Sequence, residues 1–349
     1  PIIAVDIPSG LNGNTGEVNG KAVIATETAF LGLPKIGFMM LSGWDHVGKL
    51  RYIDFGLPKK YINEAFSDIS MLTTDELKPL LPKLRRSRHK YEAGYVVGLT
   101  GSPGMSGAAL LSADAAIHSG AGIVRILFPQ GMQAEFGGNN PEILKMPYLA
   151  SDVEGIAGLM NRGSATYIGP GIGRKPETFH LLQRLLPLLQ KPCVIDADAL
   201  YWLAESDVDL PENTILTPHR GEMNGLLKVD KDLPLNRDYL DLCAAYAIRK
   251  RCTLVLKGGP TFIMDQGDSI KVNPRGDPGM ATAGSGDLLT GLIAGLLAQG
   301  MTPQNAAAMG VYIHGIAGEY AASEMTSYCM AAGDILYHFP EGFLFYEPT

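Results

Sequence analysis

The run Asn273-Pro-Arg-Gly-Asp-Pro-Gly-Met-Ala-Thr-Ala-Gly-Ser-Gly-Asp287 leads directly into Leu288-Leu-Thr-Gly-Leu-Ile-Ala-Gly-Leu-Leu-Ala-Gln299. It sets small residues and one carboxylate at the head of an apolar helix. Free N–H groups at a helix N-terminus carry the positive end of the dipole, so Ala283 to Gly286 can approach an anion that larger side chains would block. Asp287 then faces the reacting group. A plain cap needs one Ser or Asp, whereas this segment has four small residues in a row before a helix whose apolar face runs Leu288, Leu289, Leu292, Ile293, Leu296, Leu297. Gly300 supplies the stop.

Outward from this stretch, apolar β-type runs alternate with helical patterns: Tyr95 to Leu99, a helix Gly107 to Ser119, Ile123 to Phe128, Thr166 to Ile168, a helix Pro176 to Leu189, Cys193 to Asp196. Thr214 to Leu216, helices Gly221 to Leu227 and Asn236 to Arg251, Thr253 to Leu256 and two closing helices continue the pattern. Strands without in/out alternation, separated by helices, predict an α/β fold with a mostly parallel sheet covered on both faces. Thr261 to Met264 and Ser269 to Val272, around Asp265-Gln-Gly-Asp268, predict one antiparallel hairpin. In such sheets ligands sit beyond the carboxyl ends of the strands.

At 349 residues the chain suits about two domains. From Pro1 to about Ile62 the pattern resembles the last third of an α/β domain; Asn63 to Lys90 is more polar and is expected to be a connector; the remainder, 91–349, is the main domain. Pro1 to Asp6 reads as a buried strand, for which upstream sequence or another chain is expected to supply cover. The net charge of −7 argues against nucleic acid or an anionic membrane as partner. Cys193, Cys243, Cys252 and Cys329 show no paired spacing, so neither a zinc cluster nor a disulfide framework is expected. No stretch reaches the ~18 uninterrupted apolar residues of a membrane span, and no signal-peptide layout opens the chain, so a cytoplasmic location is expected.

Gly101-Ser-Pro-Gly-Met-Ser-Gly107-Ala108 and Gly169-Pro-Gly171-Ile-Gly173 each follow a strand, where backbone can approach a phosphate or ribose; neither is a Walker A loop or a dinucleotide fingerprint. Asp196-Ala-Asp198 and Thr217-Pro-His219-Arg-Gly-Glu222 place carboxylates and an imidazole at two strand ends. Zinc at His219 and Glu222 lacks further ligands at usable spacing. Lys257-Gly258-Gly259-Pro260-Thr261 ends one strand and begins the next, and with the glycine nest before Asp287 it makes a clamp for a nucleotide polyphosphate.

As an ordered set these motifs resemble the ADP-dependent NAD(P)H-hydrate dehydratases of the ribokinase-like superfamily, over roughly His89 to Ala322. The opening segment, Val5-Asp-Ile-Pro-Ser-Gly-Leu11, Pro34-Lys35 and Asp54-Phe-Gly-Leu-Pro58, is similar to the end of the NAD(P)H-hydrate epimerase domain, a Rossmann-like α/β unit that precedes the dehydratase in bifunctional proteins. The resemblance covers only the later part of that unit, without its substrate loop, so epimerase activity from this chain alone is not expected.

The resemblance implies nicotinamide-nucleotide repair: ADP phosphorylates the hydrate hydroxyl and phosphate is eliminated, giving NAD(P)H, AMP and phosphate. It implies Asp287 as general base, Gly284, Ser285 and Gly286 as an anion hole, Lys257 to Thr261 with Gly286 around the nucleotide, and Ala108, Gly171, Gly173 and His219 against the hydrate. In the epimerase remnant it implies Asp6 at substrate and Ser9 as a potassium ligand. Magnesium is expected with the phosphates, NAD(P)H hydrate and ADP are the expected small-molecule partners, and a homo-oligomer is expected. Arg275, Asp277, Ala283 and Arg220 depart from the usual family residues. Two alternatives share the same helix start: a ribokinase-like kinase of a vitamin precursor, and a non-catalytic nucleotide-binding protein.

Overall fold

The computed structural model describes residues 1–65, 67–138, 140–267 and 269–344. Among these residues thirteen strands form two sheets. In the N-terminal lobe β1 (Ile3–Val5), β2 (Glu27–Leu31) and β3 (Lys49–Ile53) lie side by side, all parallel. The other ten are β4 (Ile69–Met71), β5 (Tyr95–Leu99), β6 (Ile123–Pro129), β7 (Ile143–Tyr148), β8 (Ala165–Ile168), β9 (Cys193–Ile195), β10 (Thr214–Leu216), β11 (Thr253–Leu256), β12 (Thr261–Met264) and β13 (Ile270–Asn273). Their spatial order is β4-β13-β12-β11-β10-β9-β8-β5-β6-β7. The β11–β12 and β12–β13 pairs are antiparallel and the rest are parallel. The expected hairpin is therefore present between β12 and β13, while Asp268 of its turn lies outside the described residues.

Full burial of β8, β9, β10 and β11 explains their lack of alternation, since helices cover both faces. One face carries the Ser106–His118, Ser285–Ala298 and Pro303–Met325 helices around Leu288, Leu292, Ile293, Ile313 and Ile316. The other carries the Pro176–Leu185, Arg220–Leu227 and Arg237–Lys250 helices around Leu182, Leu185, Met223 and Leu240. Strand order reverses at β5, with β6 and β7 on one side and β8 to β11 on the other, which makes the β5/β8 junction a topological switch point.

Three expectations differ. Residues 63–90 contribute β4, which pairs with β13 and whose three residues are too short for a period to show in sequence; the Thr74–Leu77 helical turn, with Leu77 fully buried, agrees with the helix-start pattern of Thr73-Thr-Asp-Glu76. The edge strand β7 and the Val153–Met160 helix were not anticipated, because Ile143-Leu-Lys-Met-Pro-Tyr148 mixes a charge and a proline into an edge strand. Pro1 to Asp6 lacks the cover expected for it: Ile3 and Val5 are exposed on either side of buried Ala4, and β1 stands at the sheet edge. Among the described residues no helix is long and apolar enough to cross a membrane.

Candidate active site

The carboxyl ends of five adjacent strands, β5, β8, β9, β10 and β11, deliver the motif residues to one rim, and the Ser285–Ala298 helix points its N-terminus at it. Gly284 holds φ +93°, a left-handed turn that a side chain would strain, and a Cβ there would come within 2.5 Å of Leu111 Cδ1. The amides of Gly284, Gly286 and Asp287 have no acceptor among the described residues. Ser285 differs from the expectation: its amide donates to the Thr282 carbonyl at 3.3 Å, and its Oγ lies 3.4 Å from His314 Nε2. The nest therefore offers the amides on either side of Ser285 rather than that of Ser285 itself.

Asp287 stands in the first helical turn, half-buried, with no hydrogen bond or ion pair among the described residues. Burial pushes its carboxyl up to about 7, assisted by the neighbouring charge of Asp196 and opposed by Lys257. A helix cap would have engaged an amide; this carboxylate does not.

Behind it lies a charged pair. Asp196, 1% exposed, accepts from Lys257 Nζ at 2.6 Å and from Thr290 Oγ1 at 2.7 Å. Burial pulls the Lys257 ammonium down, yet Asp196, Glu222 and Asp287 outweigh it and its pKa is raised, so it stays charged. A Cβ on Gly286 would lie 3.3 Å from Lys257 Nζ, which places the lysine beside the amide nest. Between Asp196 and Asp198, Ala197 adopts φ +51°, a strained turn that sends the first carboxylate inward and the second to the Gly173 amide (3.0 Å) and Arg174 Nε (2.7 Å).

The glycine loops meet at the switch point. A Cβ on Gly171 would be 3.1 Å from the Ala108 methyl, so the β8 loop packs on the start of the Ser106–His118 helix. Gly173 sits over Ser102, and its carbonyl accepts from Trp202 Nε1 at 3.3 Å. His219 caps the Arg220–Leu227 helix: its Nδ1 accepts from the Glu222 amide at 3.1 Å, while Glu222 Oε2 accepts from the His219 amide at 2.8 Å. Burial and the nearby Lys257 lower the imidazole pKa, and with Nδ1 accepting, the neutral ring carries its proton on Nε2, which lies 3.4 Å from Glu222 Oε1. Burial pushes Glu222 up to about 7.

Ala108, Gly171, Gly173, His219, Lys257, Gly286 and Asp287 thus belong to one rim. Asp6 and Ser9 belong to the other sheet. Asp6, at φ +65°, accepts from Lys35 Nζ at 2.8 Å, and that bond holds its carboxyl below the usual range. Ser9 is exposed and its carbonyl accepts from the Val23 amide; a single exposed serine does not make a potassium cage.

Sequence reading did not find Thr290, which holds Asp196, nor His314, which backs Ser285 and whose burial drops its pKa to about 4. It also missed Tyr167, fully buried and hydrogen-bonded to Ser112 at 3.2 Å. These residues sit inside otherwise apolar elements, where a single polar residue carries no motif. Arg275 is tied down: it pairs with Glu319, whose Oε1 also accepts from the Gly276 amide at 3.0 Å, and it lies over the Tyr312 ring. It orders the loop before the nest.

A family model described as NAD(P)H-hydrate dehydratase matches residues 96–341, and one described as YjeF-related protein N-terminus matches residues 1–37. The bifunctional NAD(P)H-hydrate repair enzyme of Moorella thermoacetica is 40% identical over 349 residues, covering 97% of this chain and 66% of that protein. The chain thus spans about two thirds of that relative's length. A ribokinase-like superfamily protein from Enterococcus faecalis superposes with a TM-score of 0.72 at 26% identity, over 81% of this chain and 99% of that one. The ADP/ATP-dependent NAD(P)H-hydrate dehydratase from Bacillus subtilis, co-crystallised with ATP and Mg2+, gives 0.69 at 26% identity, over 81% and 100%.

Proposed function

Because this chain belongs to the NAD(P)H-hydrate dehydratase family, we propose that its main domain, assigned to residues 91–349, dehydrates NAD(P)H hydrate at the expense of ADP, as its structural relative's name describes. Hydroxide is a poor leaving group. Transfer of the terminal phosphoryl group of ADP to the hydrate hydroxyl releases AMP and converts that oxygen into a good leaving group. The ring nitrogen lone pair then expels phosphate as the C–O bond breaks, and loss of the proton from the adjacent carbon restores the dihydronicotinamide.

Asp287 accepts the hydroxyl proton as attack on phosphorus begins; a carboxyl at about 7 is well matched to that task at neutral pH. The amides of Gly284 and Gly286 stabilise charge on the migrating phosphoryl group, each well-placed donor contributing ~3 kcal/mol. Lys257, held charged by Asp196, neutralises phosphate. Ala108, the Gly169–Gly173 loop and His219 receive the coenzyme, and the Lys257–Thr261 loop receives the nucleotide.

Among the described residues no three His, Cys, Asp or Glu side chains group as a metal site, and Asp196 is already satisfied by Lys257 and Thr290. Magnesium would then be carried by nucleotide phosphates and water, and when bound it would supply charge neutralisation. For potassium the exposed Ser9 does not fit, and no step is derived through it.

The observation that carries this reading is the unpartnered Asp287 carboxyl beside unpartnered helix amides. Hydrated NADH with ADP is expected to regain the reduced-nicotinamide absorbance with stoichiometric AMP and phosphate. A phosphorylated coenzyme accumulating as end product, or no recovery at all, would overturn it.

A further inference from the structure

Trp44 lies in the short Gly43–Val47 helix of the N-terminal lobe, yet its indole edge rests against the loop after β11. A Cβ built on Gly259 would stand 3.1 Å from Trp44 Nε1 and 3.3 Å from Cδ1. The placement is fixed from below: a Cβ on Gly43 would lie 1.8 Å from the Gly37 carbonyl, the Leu41 amide donates to the Leu235 carbonyl at 3.2 Å, and the half-buried ring packs against the core that holds Phe38 and Val47 of its own lobe together with Leu254 and Phe262 of the main sheet. An indole N–H can only donate. None of the described residues accepts from it, and the residue is only half-buried.

The loop gives this donor a direction. It starts at Lys257, beside Gly286 and the amide nest, and runs outward through Gly258 and Gly259 to Trp44. Gly258 is nearly bare: an added Cβ would meet only the Pro260 carbonyl, at 3.4 Å. The cation therefore stands at the anion-binding end of a side-chain-free track, and an aromatic with a spare donor stands at the other. A nucleoside diphosphate has the same polarity, phosphate at one end and an aromatic base with ribose hydroxyls at the other.

We propose that Trp44, contributed by the N-terminal lobe, forms the wall of the nucleotide site that receives the base and ribose of the nucleoside diphosphate. The proposal rests on Lys257–Thr261 being the nucleotide loop. It makes the N-terminal lobe part of the dehydratase site, independent of any chemistry of its own.

The chain has two tryptophans, and Trp202 bonds the Gly173 loop on the coenzyme side, so emission from a Trp202→Phe protein reports Trp44 alone. ADP is expected to change that emission with the same dissociation constant that calorimetry gives. Base–aromatic contact is worth about tenfold in affinity or more. Trp44→Ala is expected to raise KM for ADP about tenfold, with kcat and KM for the hydrate within about twofold. Trp44→Phe keeps the ring packing and tests the lost donor should the alanine variant fold poorly; about a threefold weaker ADP binding is expected. Wild-type ADP affinity in Trp44→Phe, together with Trp44 emission indifferent to bound ADP, overturns the proposal and leaves the nucleotide loop standing. No calorimetric ADP binding to the wild-type protein overturns the loop assignment and the proposal together.

Discussion

At the residue scale, Asp287 is governed by two opposed effects, the loss of water and the charge of Asp196 against the cation of Lys257, and the first two win. Its carboxyl therefore titrates near neutrality, and kcat/KM is expected to rise with pH through about 7 and level off above it. The stability consequence has the opposite sign. A carboxyl whose folded pKa is raised from 3.8 to about 7 leaves stability untouched below the first value and costs stability increasingly as pH climbs to the second. Asp287→Asn is expected to lower kcat about 100-fold or more, to raise the melting temperature at about pH 8, and to leave it nearly unchanged at about pH 4. Equal turnover in the variant would remove the base, and equal melting shifts at both pH values would remove the buried charge. Glu222 titrates in the same range, so Glu222→Gln serves as the control: it should keep the rising limb of the rate profile.

At the element scale, the site depends on how closely the Ser285–Ala298 helix lies on the Ser106–His118 helix. A Cβ on Gly291 would fall 1.9 Å from the Ser112 carbonyl, and one on Gly295 would fall 1.7 Å from Ser119 Oγ. Glycine at these two positions lets the backbones touch, which seats Gly284 over Leu111 and brings Ala108 and the amide nest to the same rim. Gly295→Val is expected to destabilise the protein by ~2–3 kcal/mol through overpacking, read as a lower urea midpoint. An unchanged midpoint would mean that the helices have slack the packing does not show. Sequence inspection marked Gly291 and Gly295 only as parts of an apolar run, because their role is defined by what lies opposite.

At the scale of the whole molecule, the N-terminal lobe is sealed onto the main sheet rather than appended to it. Phe38, Met39, Met40 and Val47 are buried in the same core as Leu254, Phe262, Ile270 and Val272. Removing residues 1–62 uncovers that apolar surface, so the truncated protein is expected to melt several degrees lower and to aggregate more readily; an unaltered melting curve would show that the lobe seals nothing. Much of the rim was legible in the chain itself. Gly-rich turns after apolar strands, the Asp196–Asp198 pair and the glycine nest before Asp287 are local signals, and their chemistry follows from residue type and spacing within a few positions. Short-range pattern likewise carried the alternation of strands and helices and the antiparallel hairpin. What tertiary structure alone decided is long-range: β4 drawn from an apparent connector, Thr290 and Lys257 converging on Asp196, His314 behind Ser285, and Trp44 beside Gly259. Each joins residues far apart in sequence, and no periodicity records such a pairing. Local backbone preference fixes elements, whereas burial and charge compensation, which choose neighbours, act only once the chain has packed.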